Sequence, residues 1–154
     1  MPNIPAQFRD SNYQPVEYDG SPVEWRVSVY GICIQDDSVL LVHHNKENFY
    51  DAPGGGVELD ETLEEALLRE GKEEAGWELR PEKFIYAVSD WFYHSDEKKF
   101  YRTLQHYYKV TGHKLEQPPT DKRIVFAELV PLAKLSAFKI YPHVENGLRH
   151  LGVI

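Results

Sequence analysis

The chain has 154 residues, enough for one domain with a proper core, and its 42% apolar and 27% charged residues are ordinary for a soluble globular protein. A formal charge of −8 argues against a nucleic-acid backbone as partner, and a single cysteine rules out an intrachain disulfide. No segment approaches eighteen consecutive apolar residues and the N-terminus has no basic-then-apolar signal pattern, so a cytoplasmic protein without membrane contact is expected.

Residues 1–22 are rich in proline, asparagine and aspartate and read as an arm without regular structure, resting on the body or on a second subunit of a homodimer. A folded domain is expected over 23–154. Trp25 to Ile34 suits a central strand, Gln35 to Ser38 a turn, and Val39 to Val42 the returning strand of a hairpin. Cys33 inside that run reads as a buried thiol rather than a nucleophile. His43 and His44 open a polar loop. Adjacent residues point to opposite faces of a strand, which argues against a metal pair, although either imidazole could meet a phosphate.

Gly54-Gly55-Gly56 brings backbone close to a ligand but lacks the Gly-Lys-Ser/Thr that completes a P-loop. Thr62-Leu63-Glu64-Glu65 is a capping box that starts a helix, and Gly76 is a natural stop. On that helix Glu70, Glu73 and Glu74 fall at i, i+3 and i+4 and share a face. Such a charge run is usually a solvated face. The other reading is a set of hard oxygens for a divalent cation, held by carboxylates together with substrate phosphates.

After the helix, Phe84 to Tyr93 and Phe100 to Val110 read as long strands around a polar hairpin loop. Tyr101, Thr103, Gln105 and Tyr107 share one face of the second, and Phe100, Arg102, Leu104, His106 and Tyr108 the other. Neither face is cleanly polar, so the sheet should be covered on both sides. Ile124 to Val130 is a further strand and Pro142 to Leu151 a terminal helix. The order implies an α/β fold with helices on both faces of a sheet.

Gly55, Glu61, Arg69-Glu70, Glu73-Glu74, Gly76 and Trp77 stand at the spacing of the Nudix box, and the stretch resembles that family, with Pro53 as its usual lead-in. It departs at Gly71, where the family carries an apolar or β-branched residue. On the helix Gly71 lies with Leu67, Leu68 and Ala75 in the stripe that should bury against the sheet, where a glycine permits close approach.

The resemblance implies an α/β/α sandwich with a central mixed sheet. It also implies a hydrolase that cleaves the pyrophosphate linkage of a nucleoside diphosphate joined to another moiety, such as a dinucleoside polyphosphate, a nucleoside triphosphate or a nucleotide sugar. Mg²⁺ is the expected cofactor, with Mn²⁺ an alternative. By the resemblance Glu70, Glu73 and Glu74 are metal ligands with the Gly55 carbonyl, Arg69 orients the glutamates, and Glu61 anchors the loop. Glu58 is a candidate outside that set. A further carboxylate from a later segment is open among Asp96, Glu97, Asp121 and Glu128.

Tyr93 lies near where dinucleoside-polyphosphate hydrolases of the family carry a tyrosine, and Tyr93, Trp91 and Tyr50 are the candidates for stacking on a substrate base. Two other readings stay open: a catalytically silent nucleotide-binding module on the same fold, and an isoprenoid-diphosphate isomerase, which would need a reactive cysteine.

Overall fold

The computed structural model describes residues 3–154; Met1 and Pro2, the first residues of the expected arm, lie outside that range. Strands β3 (Val23–Gln35) and β4 (Ser38–His44) form the expected hairpin. Its turn residues Asp36 and Asp37 have φ of 50° and 57°, the positive values that a two-residue turn needs to match strand twist. The ladder between them stops after Ile34–Val39 and Gln35–Ser38. The strands then part, and β5 (Gly54–Gly56) fills the gap by pairing antiparallel with Ser28 to Tyr30.

Helix α1 (Leu63–Glu70) starts with both halves of the capping box, Thr62 Oγ1 accepting from the Glu65 N–H and the Glu65 carboxylate accepting from the Thr62 N–H. Its last turn, Gly71 to Ala75, widens to π geometry before Gly76 ends it with φ of 70°. A Cβ on Gly71 would lie 2.8 Å from Leu79 Cγ and 2.9 Å from the Trp77 carbonyl oxygen. The helix therefore reaches the sheet as closely as backbone allows.

Strands β6 (Trp77–His94) and β7 (Lys99–Lys114) make the longest hairpin, and β8 (Ile124–Pro131) pairs with β4. A 3₁₀ turn at Leu132–Ala137 leads to helix α2 (Pro142–His150). Among the described residues, with β1 at Gln7–Arg9 and β2 at Pro15–Glu17, the sheet runs β2-β1-β6-β7-β3-β4-β8, with β3–β7 and β1–β6 parallel and the other pairs antiparallel.

Side-chain alternation splits the core into two layers. Val29, Cys33, Leu40, Val42 and Leu79 pack with Ala66 and Leu67 of α1, while Ile32, Val39, Leu41 and Tyr107 pack with Val144 and Leu148 of α2. This is an α/β/α sandwich around a mixed sheet. Among the described residues, no helix is long and apolar enough to cross a membrane.

The expectation of an arm without regular structure is corrected. Residues 7–9 and 15–17 form β1 (Gln7–Arg9) and β2 (Pro15–Glu17), a small antiparallel pair that extends the sheet through one parallel pairing, Arg9 with Phe92. Phe8 anchors it, 2% exposed, with its ring 4.8 Å from Phe100, 5.3 Å from Tyr18 and 5.5 Å from Trp91. The stabilising contacts are tertiary, supplied by rings far away in sequence.

Candidate active site

The glycine strand lies against the glutamate-bearing end of α1. A Cβ on Gly55 would sit 2.7 Å from Glu70 Oε1, so a larger residue there would displace that carboxylate from the backbone it rests on. The Gly54 N–H donates to Glu74 Oε1 at 2.8 Å, and Glu74, 2% exposed, meets His44 Nε2 through its other oxygen at 2.9 Å. Burial alone would lower the His44 pKa, but the hydrogen bond and charge of Glu74 raise it to about 9. Burial, with the Glu74 charge, pushes Glu70 up to about 7, although Arg69 pulls the other way. Glu73 is the most open of the three, 3.4 Å from the Arg69 guanidinium.

Arg69 ties the motif together. Its Nε and Nη2 grip Glu61 at 2.7 and 2.8 Å, Nη2 also reaches the Gly56 carbonyl, and Nη1 donates to Glu70 at 2.9 Å. Glu61 in turn accepts from the Glu58 N–H, which pins the loop between β5 and α1. Glu58 itself is exposed.

A later segment joins this end of the helix. The Glu73 carbonyl, near the end of the widened turn, accepts from the N–H groups of Thr120 (3.0 Å) and Asp121 (2.8 Å). Asp121 thereby comes to the cluster, and ligand atoms of His44, Glu74 and Asp121 lie within 4.8 Å of one another. Arg123 forks onto Asp121 at 3.0 and 2.7 Å and holds its pKa below the ordinary carboxylate value. Of the four later carboxylates open in the sequence, Asp121 alone is placed here. Asp96 is exposed beside Lys46, Glu97 is engaged by Tyr101, His94 and Arg26, and Glu128 is exposed on β8. The gathered carboxylate oxygens suit a hard divalent cation.

Glu70 and Glu74 also line an open cleft. Its floor is a row of cross-strand partners, Arg26 with Thr103, Ser28 with Gln105 and Tyr30 with Tyr107. This explains why the face of β7 carrying Thr103 and Gln105 is polar and yet buried. Arg9 of β1, Tyr141 at the N-cap of α2 and His143 in its first turn complete the wall. The Arg9 guanidinium lies over Tyr13 and Phe92 and is held by Asp90 at 2.7 Å, while His143 bonds the Tyr13 hydroxyl at 3.1 Å.

The three aromatic candidates are corrected. On β6, Phe92 and His94 face the cleft, so Tyr93 and Trp91 point to the other side of the sheet, where Tyr93 packs on Phe100 and Trp91 on Phe8 and the Arg102 guanidinium. Tyr50 is packed among His43, Phe126 and Phe138. None of the three lines the cleft. Cys33 is 1% exposed in the α1 layer, with burial raising its pKa to about 11, so it is no nucleophile for an isomerase. Sequence reasoning missed Arg9, Arg26, Arg123 and Gln105, because isolated polar residues in strands and loops carry no periodic or motif signal.

The protein-family model described as "NUDIX domain" matches residues 24–151. A relative from Methanocaldococcus jannaschii, described as an ADP-ribose pyrophosphatase, is 31% identical over 131 residues, which is 79% of this chain and 75% of that protein. A Bacillus subtilis relative is 31% identical over 85 residues, 55% of this chain but 38% of that protein's length. A solved NUDIX hydrolase from Nitrosomonas europaea superposes with a TM-score of 0.64 at 22% identity, covering 82% of this chain and 88% of the other.

Proposed function

Because the chain belongs to the Nudix family, we propose that it hydrolyses the pyrophosphate linkage of a nucleoside diphosphate joined to a second moiety. The observation that carries this reading is the seating of Glu70 on Gly55, beside the buried Glu74, at a cleft whose lining also holds Arg26 and Arg123. Carboxylates gathered there by a guanidinium, instead of being spread over a solvated face, are poised for a divalent cation. The M. jannaschii relative is named for a substrate of this kind, a nucleoside diphosphate linked to ribose.

Glu70, Glu73 and Glu74 would hold Mg²⁺ or Mn²⁺ with the Gly55 carbonyl, and Asp121 is the further carboxylate. A cation held there would supply charge neutralisation for the pyrophosphate oxygens and lower the pKa of the attacking water. The protein's own groups do the rest. Arg69 fixes the direction of Glu70 and Glu73, and Glu61 fixes Arg69. Arg26, beside Gly56, and Arg123, beside Asp121, attract the diphosphate. A carboxylate of the cluster takes the proton of the attacking water as the phosphoanhydride bond breaks, leaving two phosphate monoesters.

The test is a panel of ADP-ribose, UDP-glucose, diadenosine tetraphosphate and ATP with Mg²⁺ or Mn²⁺, followed by phosphorus NMR for new phosphate termini. Glu70→Gln should lower turnover by orders of magnitude with the fold intact, and excess chelator should abolish it. Undiminished turnover in either case would overturn the reading.

A further inference from the structure

Arg9 precedes the family match at residues 24–151, lines the cleft and takes no part in the cation site. Its side chain is 16% exposed and held from several sides. Nε donates to Asp90 Oδ2 at 2.7 Å and Nη1 to the Asp10 carbonyl at 3.1 Å. The Tyr13 ring lies 4.3 Å from the guanidinium carbon and the Phe92 ring 5.1 Å. Nη2 has no hydrogen-bond partner among the described residues, so the end of the guanidinium is open. An arginine that only stapled the N-terminal hairpin would grip its carboxylate with two parallel N–H groups, as Arg123 grips Asp121. Asp90 instead takes Nε alone and spends Oδ1 on the Trp91 N–H.

We propose that Arg9 is an oxyanion receptor, and that the substrate carries, remote from the cleaved diphosphate, a second phosphate or carboxylate that Nη1 and Nη2 grip. This rests on the pyrophosphohydrolase reading above. Two N–H groups on one edge match two oxygens on one centre, whereas a carbonyl or hydroxyl offers a single oxygen. The edge is oriented before binding, so little side-chain freedom is lost when the oxyanion arrives. The carboxylates of the lining, Glu47, Asp51, Glu70 and Glu74, belong to the β4 and α1 side, while Arg9 enters from β1, beyond β6 and β7. Gly56 pairs with Ser28, and Arg26, Thr103 and Asp90 form the row two residues along. That puts the Asp90 backbone roughly 15 Å from the glycine strand, which leaves room for a linking group between the two anionic ends.

The test uses matched pairs that differ in one oxyanion: ADP-ribose 2′-phosphate against ADP-ribose, coenzyme A against its 3′-dephospho form, and UDP-glucuronate against UDP-glucose. The first two pairs report a phosphate and the third a carboxylate. kcat/KM with Mg²⁺ and Tm are measured for wild type, Arg9→Gln and Arg9→Lys. In at least one pair wild type should favour the charged member about tenfold or more. In Arg9→Gln that preference should vanish, whereas loss of a purely structural arginine would lower both members alike and leave the ratio standing. Arg9→Lys keeps a cation beside Asp90, so Tm should hold while the ratio falls about threefold, because an ammonium lacks the fork. It decides the matter if Arg9→Gln undocks the hairpin. No preference in any pair, or a wild-type ratio in both variants, overturns the inference while leaving the hydrolase reading in place. If nothing is cleaved, the hydrolase reading fails and calorimetry on the same pairs with Mg²⁺ decides: tighter binding of a charged member that is lost in Arg9→Gln upholds the inference, and its absence overturns it.

Discussion

Glu70 is pulled two ways when no cation is present. Burial and Glu74 raise its pKa from an ordinary 4.5 to about 7, against the opposing pull of Arg69. A carboxyl whose folded-state pKa lies above its unfolded value binds more protons when folded, so its stabilising effect is greatest at low pH and is lost as pH rises. In chelator the protein should therefore lose stability between pH 4.5 and about 7, and Glu70→Gln should flatten that part of a Tm profile. The His44–Glu74 pair acts later: its contribution is full below pH 6.5 and fades as pH passes about 9. A wild-type profile no steeper than the variant's would remove the effect. At this scale the contacts of Arg69 with Glu61 and Glu70 were foreshadowed by the Nudix-box resemblance. Tyr93 was not. Alternation along β6 tells which residues share a face, but nothing local tells which face looks into the cleft.

The helix was legible from its capping box to its terminal glycine, yet its widened last turn was not. That turn follows from contact with β6 rather than from helix propensity. Alanine at position 71 would improve propensity by about 1 kcal/mol in an isolated helix. Here its Cβ would fall 2.8 Å from Leu79 and 2.9 Å from the Trp77 carbonyl, and backbone does not yield as a side chain does. Gly71→Ala should therefore lower Tm despite the propensity gain, and Gly71→Leu should cost about 1–3 kcal/mol in thermal or urea unfolding. An unchanged or higher Tm in both would show that the interface has room. Strands β3, β4, β7 and β8 and helix α2 were legible within a few residues from apolar patterning. β1 and β2 are too short for any pattern, three residues each, and form because rings elsewhere receive Phe8.

Across the whole molecule, the N-terminal hairpin precedes the family match at residue 24 and still supplies Arg9 and Ser11 to the cleft. Phe8→Ala should cost about 3–5 kcal/mol if the hairpin stays docked on the cavity, or less if it simply lifts away. If it lifts away, KM for the cleaved nucleotide should rise, because Arg9 leaves its place between Tyr13 and Phe92; unchanged KM with the hairpin lifted would show that it is a bystander. The bond from Asp121 to the carbonyl of Glu73 has a consequence for the order in which the chain matures. Residues 44, 54, 70, 74 and 121 must all arrive before the cation site exists, and closing such long loops comes late relative to local helix formation. On refolding, far-UV circular dichroism should return first and Mg²⁺-induced gain in Tm afterwards. A copy that has not finished folding thus has no working centre, and nucleotides are safe from it.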